Sequence, residues 1–147
     1  MNFPVIFHLA IPINDVTKAK QFYEAGLDCA VGRANKQAVI FKFYGHQVVA
    51  HVSKENLTPQ QGIYPRHFGL VLPTKEDWEK LLNRAKEQEL KFYQEPKLRF
   101  PEKLIEHWTF FLEDPFYNLL EFKYYTHKEA IFGGGNIEEI GDLQSSV

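Results

Sequence analysis

A six-residue phrase occurs twice in the chain, as His8-Leu9-Ala10-Ile11-Pro12-Ile13 and as His67-Phe68-Gly69-Leu70-Val71-Leu72. Each reads histidine, apolar, small, apolar, any residue, apolar, and each runs directly into a helix-like segment. Imidazole is the commonest side-chain metal ligand and titrates near neutral pH. Two strands that each open on an inward imidazole suggest a duplicated unit whose halves share one metal. Two more polar residues sit in matching phrases: His51 after Gln47-Val48-Val49-Ala50, and Glu121 after Tyr117-Asn118-Leu119-Leu120. If a pseudo-twofold relates the halves, these four equivalent strand positions converge. Imidazole with carboxylate suits Fe(II), Mn(II), Ni(II), Co(II) or Zn(II) and excludes a calcium-type oxygen cage. Glu121 lies between Leu120 and Phe122, and a buried carboxylate is costly unless a cation or donor compensates it. A metal would do so; the plainer alternative is an exposed charge paired with Lys123.

The elements that must position these groups follow from periodicity. Positions 5 to 13 alternate as a strand, and Asn14 or Asp15 caps a helix with Val16, Ala19, Phe22 and Tyr23 at helical spacing, ended by Gly26. Three strands follow, around 28–32, 38–44 and 47–53, with Gly45-His46 as a turn. Residues 54–66 carry Pro59, Gly62 and Pro65 and read as a linker. The pattern then restarts: a strand at 67–72, a helix capped by Thr74 with Trp78, Leu81, Leu82 and Ala85 on one face, and strands at 91–94, 109–112 and 118–125. Each half reads strand, helix, three strands, and a repeat of this length implies that each copy buries its open face against the other. The predicted fold is α+β: one domain over 1–127, with halves at about 4–58 and 64–126, followed by a loosely packed tail at 128–147.

Composition narrows the function. At 147 residues, with 44% hydrophobic and 24% charged residues, the chain suits one ordinary globular domain. The net charge of −2 comes without a basic run, which argues against nucleic acid. No apolar stretch approaches a membrane span, and the N-terminus lacks a signal pattern. The single Cys29 excludes an internal disulfide, reads as a small buried hydrophobe and fits a reducing cytoplasm. Among the abundant aromatics, Phe41, Phe43, Trp108, Phe110 and Phe111 are candidates to line a pocket for a small planar substrate, with core packing the competing role. Arg99, read as a loop residue, is a candidate to hold a substrate carboxylate by a bidentate contact. His46, His107 and His127 read as surface or turn residues.

Three stretches carry a family resemblance: His8 through Tyr23 with Asp15 and Phe22-Tyr23, His67 through Leu72, and Asp114-Pro115-Phe116-Tyr117-Asn118 leading to Glu121. On these the chain resembles the vicinal-oxygen-chelate superfamily, which includes glyoxalase I, extradiol dioxygenases and bleomycin- or fosfomycin-resistance proteins. Gly45-His46-Gln47 and Glu121-Phe122-Lys123 bring it nearest to small single-domain proteins of the extradiol dioxygenase type. The resemblance implies two βαβββ modules forming a cup-shaped mixed sheet around a divalent metal held by His8, His67 and Glu121. Fe(II) or Mn(II) is the implied metal, with Ni(II), Co(II) or Zn(II) as alternatives. Such a set leaves open positions for two vicinal oxygens of a small-molecule substrate. His51 would be a further ligand or an acid/base group. The resemblance also implies a homodimer. In the rival glyoxalase I-like lyase, Glu121 would shuttle a proton between adjacent carbons; a second rival is a drug-sequestering binder that uses the cup without metal. Two positions depart from the extradiol pattern. Phe111 stands where a tyrosine is usual. Tyr117 replaces the glycine of the Asp-Pro turn, so the loop is expected to differ there and Tyr117 to face the cup.

Overall fold

A computed structural model describes residues 4–142. The first half comprises β1 (His8–Ile13), α1 (Val16–Lys20) continuing into a π-helical turn (Gln21–Gly26), β2 (Ala30–Ala34), β3 (Ala38–Phe43) and β4 (His46–Val52). The second comprises β5 (Phe68–Val71), α2 (Lys75–Glu87), β6 (Phe92–Arg99), β7 (His107–Glu113) and β8 (Leu119–Tyr125), followed by a short 3-10 turn at Lys128–Ile131. This is an α+β fold of two βαβββ modules. Each forms a four-stranded mixed sheet, ordered β1-β4-β3-β2 and β5-β8-β7-β6, with its first strand parallel to its last. Among the described residues no helix is long and apolar enough to cross a membrane.

The helices begin where their caps dictate. Asp15 Oδ1 accepts from the Lys18 amide at 2.9 Å, and Thr74 Oγ1 accepts from the Asp77 amide at 3.0 Å. Trp78, Leu81, Leu82 and Ala85 form the buried stripe of α2, and Trp78 Nε1 donates to the Phe122 carbonyl at 2.8 Å.

Strand alternation decides which faces meet. Ile11 and Ile13, Val48 and Ala50, and Phe41 and Phe43 share one face of the first sheet. Phe110, Leu112, Leu120 and Phe122 share one face of the second. These faces and both helices join a single hydrophobic cluster. Two polar ties cross it: Tyr23 Oη donates to Asp114 Oδ2 at 2.6 Å, and Arg84 Nε donates to the Gly26 carbonyl at 2.9 Å. The halves therefore pack back to back through their apolar faces. Each half thus buries its apolar face against the other as expected, but the faces bearing His8 and Glu121 point away from that core, contrary to the expectation that their polar positions converge.

Two expectations along the chain are corrected. β6 runs eight residues to Arg99, past the predicted end at 94, because irregular pairing between Phe92 and Lys97 accommodates Pro96 without breaking the strand. The tail is docked as far as Asp142, whose carboxylate meets Lys97 and Arg99; positions 143–147 of the predicted tail lie outside the described residues.

Candidate functional site

The outward face of the second sheet is built in rows. Gly69, Glu121, Phe111 and Gln94 form one row, Val71, Lys123, Thr109 and Lys97 the next, and Tyr125, His107 and Arg99 a third. Glu121 is buried in the first and is surrounded by donors. Its Oε2 accepts from Thr109 Oγ1 at 2.6 Å and from Arg99 Nη1 at 3.0 Å. Its Oε1 lies 3.0 Å from His67 Nε2 and 3.7 Å from Lys123 Nζ. His67 stands just before β5, and its Nδ1 donates to the Ile63 carbonyl at 2.7 Å, which turns Nε2 onto the carboxylate. The Phe111 ring meets the imidazole edge-on, with centroids 5.0 Å apart.

With Nδ1 carrying a proton, Nε2 and Oε1 are both lone-pair donors unless a cation lies between them. A proton satisfies the pair: the Glu121 hydrogen bond raises the His67 pKa against the opposing effect of burial. For Glu121, burial pushes upward, but His67, Lys123, Thr109 and Arg99 together outweigh it and bring the carboxyl down to about 2. A metal also fits, since two donors each about 2.1 Å from one ion at a right angle stand about 3 Å apart. The backbone carbonyl on the far imidazole nitrogen is the usual support of a metal-bound histidine. His67 and Glu121 thus suit two positions of a metal site. Among the described residues no three His, Cys, Asp or Glu side chains converge.

The pair makes stability depend on pH in the metal-free protein. Glu121, lowered on folding, contributes fully above its ordinary 4.5 and loses that contribution as pH falls toward 2. His67, raised on folding, contributes fully below 6.5 and loses it as pH climbs through its elevated value. The urea-midpoint difference between the native chain and His67→Asn is expected to peak between those two ordinary values and shrink on either side. A flat difference from about pH 3 to about pH 9 would show that the ion pair contributes nothing to stability.

His8 and His51 lie elsewhere. Both are exposed on the outward face of the first sheet, where His8 Nδ1 meets Gln47 Oε1 at 2.7 Å. The register also corrects their equivalence. Glu121 pairs with Gly69, two residues after His67; two residues after His8 stands Ala10, which pairs with Val49. The counterpart of Glu121 is therefore Val49. His51 pairs with Pro12, four residues beyond His8 and about 13 Å along the strand, too far to share an ion with it. The matching phrases had the right face but were misaligned by one alternation.

The aromatic candidates divide by parity. Phe41 and Phe43 are core residues, with the Phe41 ring 5.1 Å from that of Tyr23 and the Phe43 ring 5.8 Å from that of Phe68. Phe110 and Trp108 face the same interior, against Trp78. Phe111 alone of the five points to the outward face. Tyr117 lines a cleft of about 270 Å³ together with Ala10, Arg66 and His67. Its turn keeps the left-handed backbone, with φ at 68°, despite the missing glycine. That conformation costs on the order of 1–2 kcal/mol. Asp114 holds it: Oδ1 accepts from the Phe116 and Asn118 amides, and Oδ2 from the Asn118 side chain and Tyr23.

Three residues escape a reading of the sequence alone. Arg99 is a buried strand residue and no solvated loop charge, since its side chain is only 4% exposed. His107, expected at the surface, is buried beside it, with Nε2 3.3 Å from Arg99 Nη1. Thr109 is signalled only by being a polar residue with buried neighbours at the parity of Phe111.

These features define a class. A family model described as the glyoxalase/bleomycin resistance protein/dioxygenase superfamily matches residues 5–122, and the chain belongs to that superfamily. A glyoxalase/bleomycin resistance protein/dioxygenase from Alicyclobacillus acidocaldarius is 38% identical, with a TM-score of 0.83 over 90% of this chain and 100% of the other. The fold is shared with two more distant structures. The fosfomycin resistance protein FosX of Listeria monocytogenes is 13% identical, with a TM-score of 0.67 over 87% of this chain and 98% of its own. A lactoylglutathione lyase from Agrobacterium tumefaciens is 17% identical, with a TM-score of 0.64 over 91% and 100%. Comparison with curated proteins finds no match. The superfamily includes enzymes, and its members commonly bind divalent metals and often form dimers.

Proposed function

We propose that the protein is a metal-dependent enzyme of the extradiol dioxygenase type, acting on a small substrate that presents vicinal oxygens. The carrying observation is the contact between His67 Nε2 and Glu121 Oε1, two metal-suited donors aimed at each other by fixed neighbours. In this reading a homodimer lays the outward face of one first sheet over the outward face of the partner's second sheet. His8 of one copy then joins His67 and Glu121 of the other, completing a two-histidine, one-carboxylate set. Support comes from the exposure of His8 and from the back-to-back core, which leaves the face of the first sheet that bears His8 uncovered within one chain. The metal, Fe(II) or Mn(II) by the resemblance, would act as a Lewis acid toward substrate oxygens.

The chain's own residues have defined parts. Thr109 and Arg99 hold Oε2, leaving Oε1 as the ligating oxygen. The Ile63 carbonyl keeps Nε2 pointed into the site, and Phe111 limits water on the imidazole flank. His51, set away from His8 on the same face, is left as a proton-transfer group toward the far end of a bound substrate. Oxygen uptake with catechols, appearing only when Fe(II) is present and vanishing in His8→Ala, is the expected result. Conversion of a glutathione hemithioacetal without O₂ would replace this reading with the lyase.

One observation favours a second reading. Arg99 already compensates the buried carboxylate, so the site is electrostatically complete without a metal. On that reading the protein is a metal-free small-molecule binder. Absence of bound transition metal after reconstitution would favour it over the enzyme.

A further inference from the structure

The outward face of the second sheet carries a second polar centre. Arg99 is divided between two carboxylates. Its Nη1 end meets Glu121, while its Nε and Nη2 edge faces Asp142 of the tail, with Nε 2.6 Å from Oδ1 and Nη2 donating to Oδ2 at 3.2 Å. Lys97 Nζ adds a contact to the same Oδ2 at 3.0 Å. The pairing is imperfect: Nε is buried and, despite the short approach, has no acceptor aligned with its hydrogen. A buried guanidinium edge is a rigid fork matched to a planar carboxylate. Here the tail fills that fork with a residue that leaves one tine unsatisfied.

The tail reaches the fork through a tight passage. The Asp142 amide donates to Tyr64 Oη at 2.8 Å. Gly141 adopts φ of 61°, and a Cβ there would lie 2.5 Å from Tyr64 Oη. Behind this latch the tail roofs a cavity of about 340 Å³ over His107, Lys123 and Tyr125. That volume lies within the range of small-molecule sites.

We propose that the Nε and Nη2 edge of Arg99, with Lys97, is a carboxylate-binding subsite that Asp142 occupies as an internal stand-in, and that a small carboxylic acid displaces the tail to bind there. Only the naming of that acid as substrate rests on the preceding functional reading; binding itself requires no metal. The Lys123 and His107 side of the cavity then receives the rest of the molecule, on the same sheet face as Glu121.

The test uses the metal-free full-length protein, benzoate as probe, and benzyl alcohol and inorganic phosphate as controls. Asp142→Asn removes the stand-in charge. Gly141→Ala loosens the latch through strain at its left-handed φ while leaving every clamp residue in place. If the tail is docked nine-tenths of the time, releasing it tightens benzoate binding about tenfold, because a partly closed site loses affinity in proportion to its open fraction. Both variants are expected to show that gain by calorimetry. Benzoate is also expected to strip the Asp142 amide of hydrogen-exchange protection. Unchanged benzoate affinity in both variants, or bound benzoate with that amide still protected, would overturn the proposal. Phosphate or benzyl alcohol binding as tightly as benzoate would do the same for its carboxylate class. A protein that takes up no metal yet passes these tests retains the subsite and loses only the enzymatic reading.

Discussion

Replacing Glu121 by alanine is expected to abolish retention of a divalent metal and to destabilise the fold by about 3–5 kcal/mol, the usual consequence of leaving a buried charge without its partner. The stability loss does not depend on any metal. Arg99 Nη1 would face an empty site beside His107, Thr109 Oγ1 would lose its acceptor, and His67 would lose the group that favours its charged form. Glu121→Gln separates the two effects. The amide oxygen still accepts from Thr109 and Arg99, so stability is expected to recover in large part. Metal retention is not, because a neutral amide is a poor ligand for the transition metals this donor set suits. Urea denaturation and elemental analysis of both variants read the two quantities independently. Full metal retention in Glu121→Ala would remove this residue from the ligand set. A loss below about 1 kcal/mol would mean that Arg99 does not depend on it.

Gly69→Ala is expected to be as damaging, although it adds one methyl group. A Cβ at Gly69 would overlap the Glu121 carbonyl oxygen and lie 2.6 Å from its carbonyl carbon and 2.8 Å from its amide nitrogen. No side-chain rotation relieves a clash with backbone, so β5 and β8 must part. That separation breaks the parallel pairing of Gly69 with Glu121 and moves His67 away from the carboxylate. The expected cost is about 4 kcal/mol or more, together with loss of metal binding. Gly32→Ala is the matched control, since its added Cβ would find only ordinary contacts at 3.6 Å. A Gly69→Ala protein with unaltered thermal midpoint would show that the two strands have room to spare.

These experiments bear on different levels of the molecule. Glu121 tests the chemistry of a site, Gly69 the backbone spacing that positions it, and the Asp142 latch the access to its neighbour.

The fold was legible in the sequence because its signals are local. The alternation through β1, the caps at Asp15 and Thr74 and the apolar stripe of α2 each express the geometry of a single element, and all appear where periodicity puts them. The second half of the candidate site was legible for a similar reason: His67 and Glu121 meet within one module, across neighbouring parallel strands. The first half was not. Placing His51 opposite Glu121 needed the inter-strand register, and apolar patterning constrains a face without constraining the row. Arg99 was unreadable because a single charged residue at the end of an irregular strand looks the same whether it is solvated or buried; only the distant Glu121 and Asp142 make its burial tolerable.

By itself, then, the sequence determined a duplicated βαβββ unit, its family, and the residue types able to bind a metal, since these depend on period and composition. Tertiary structure alone decided that the two halves turn their backs to each other, that Val49 and not His51 answers Glu121, and that an arginine at the end of the edge strand is buried between two carboxylates. The physical reason is that hydrophobic burial selects which face of each strand becomes core. Every polar group then takes its partners from whatever that choice brings within reach.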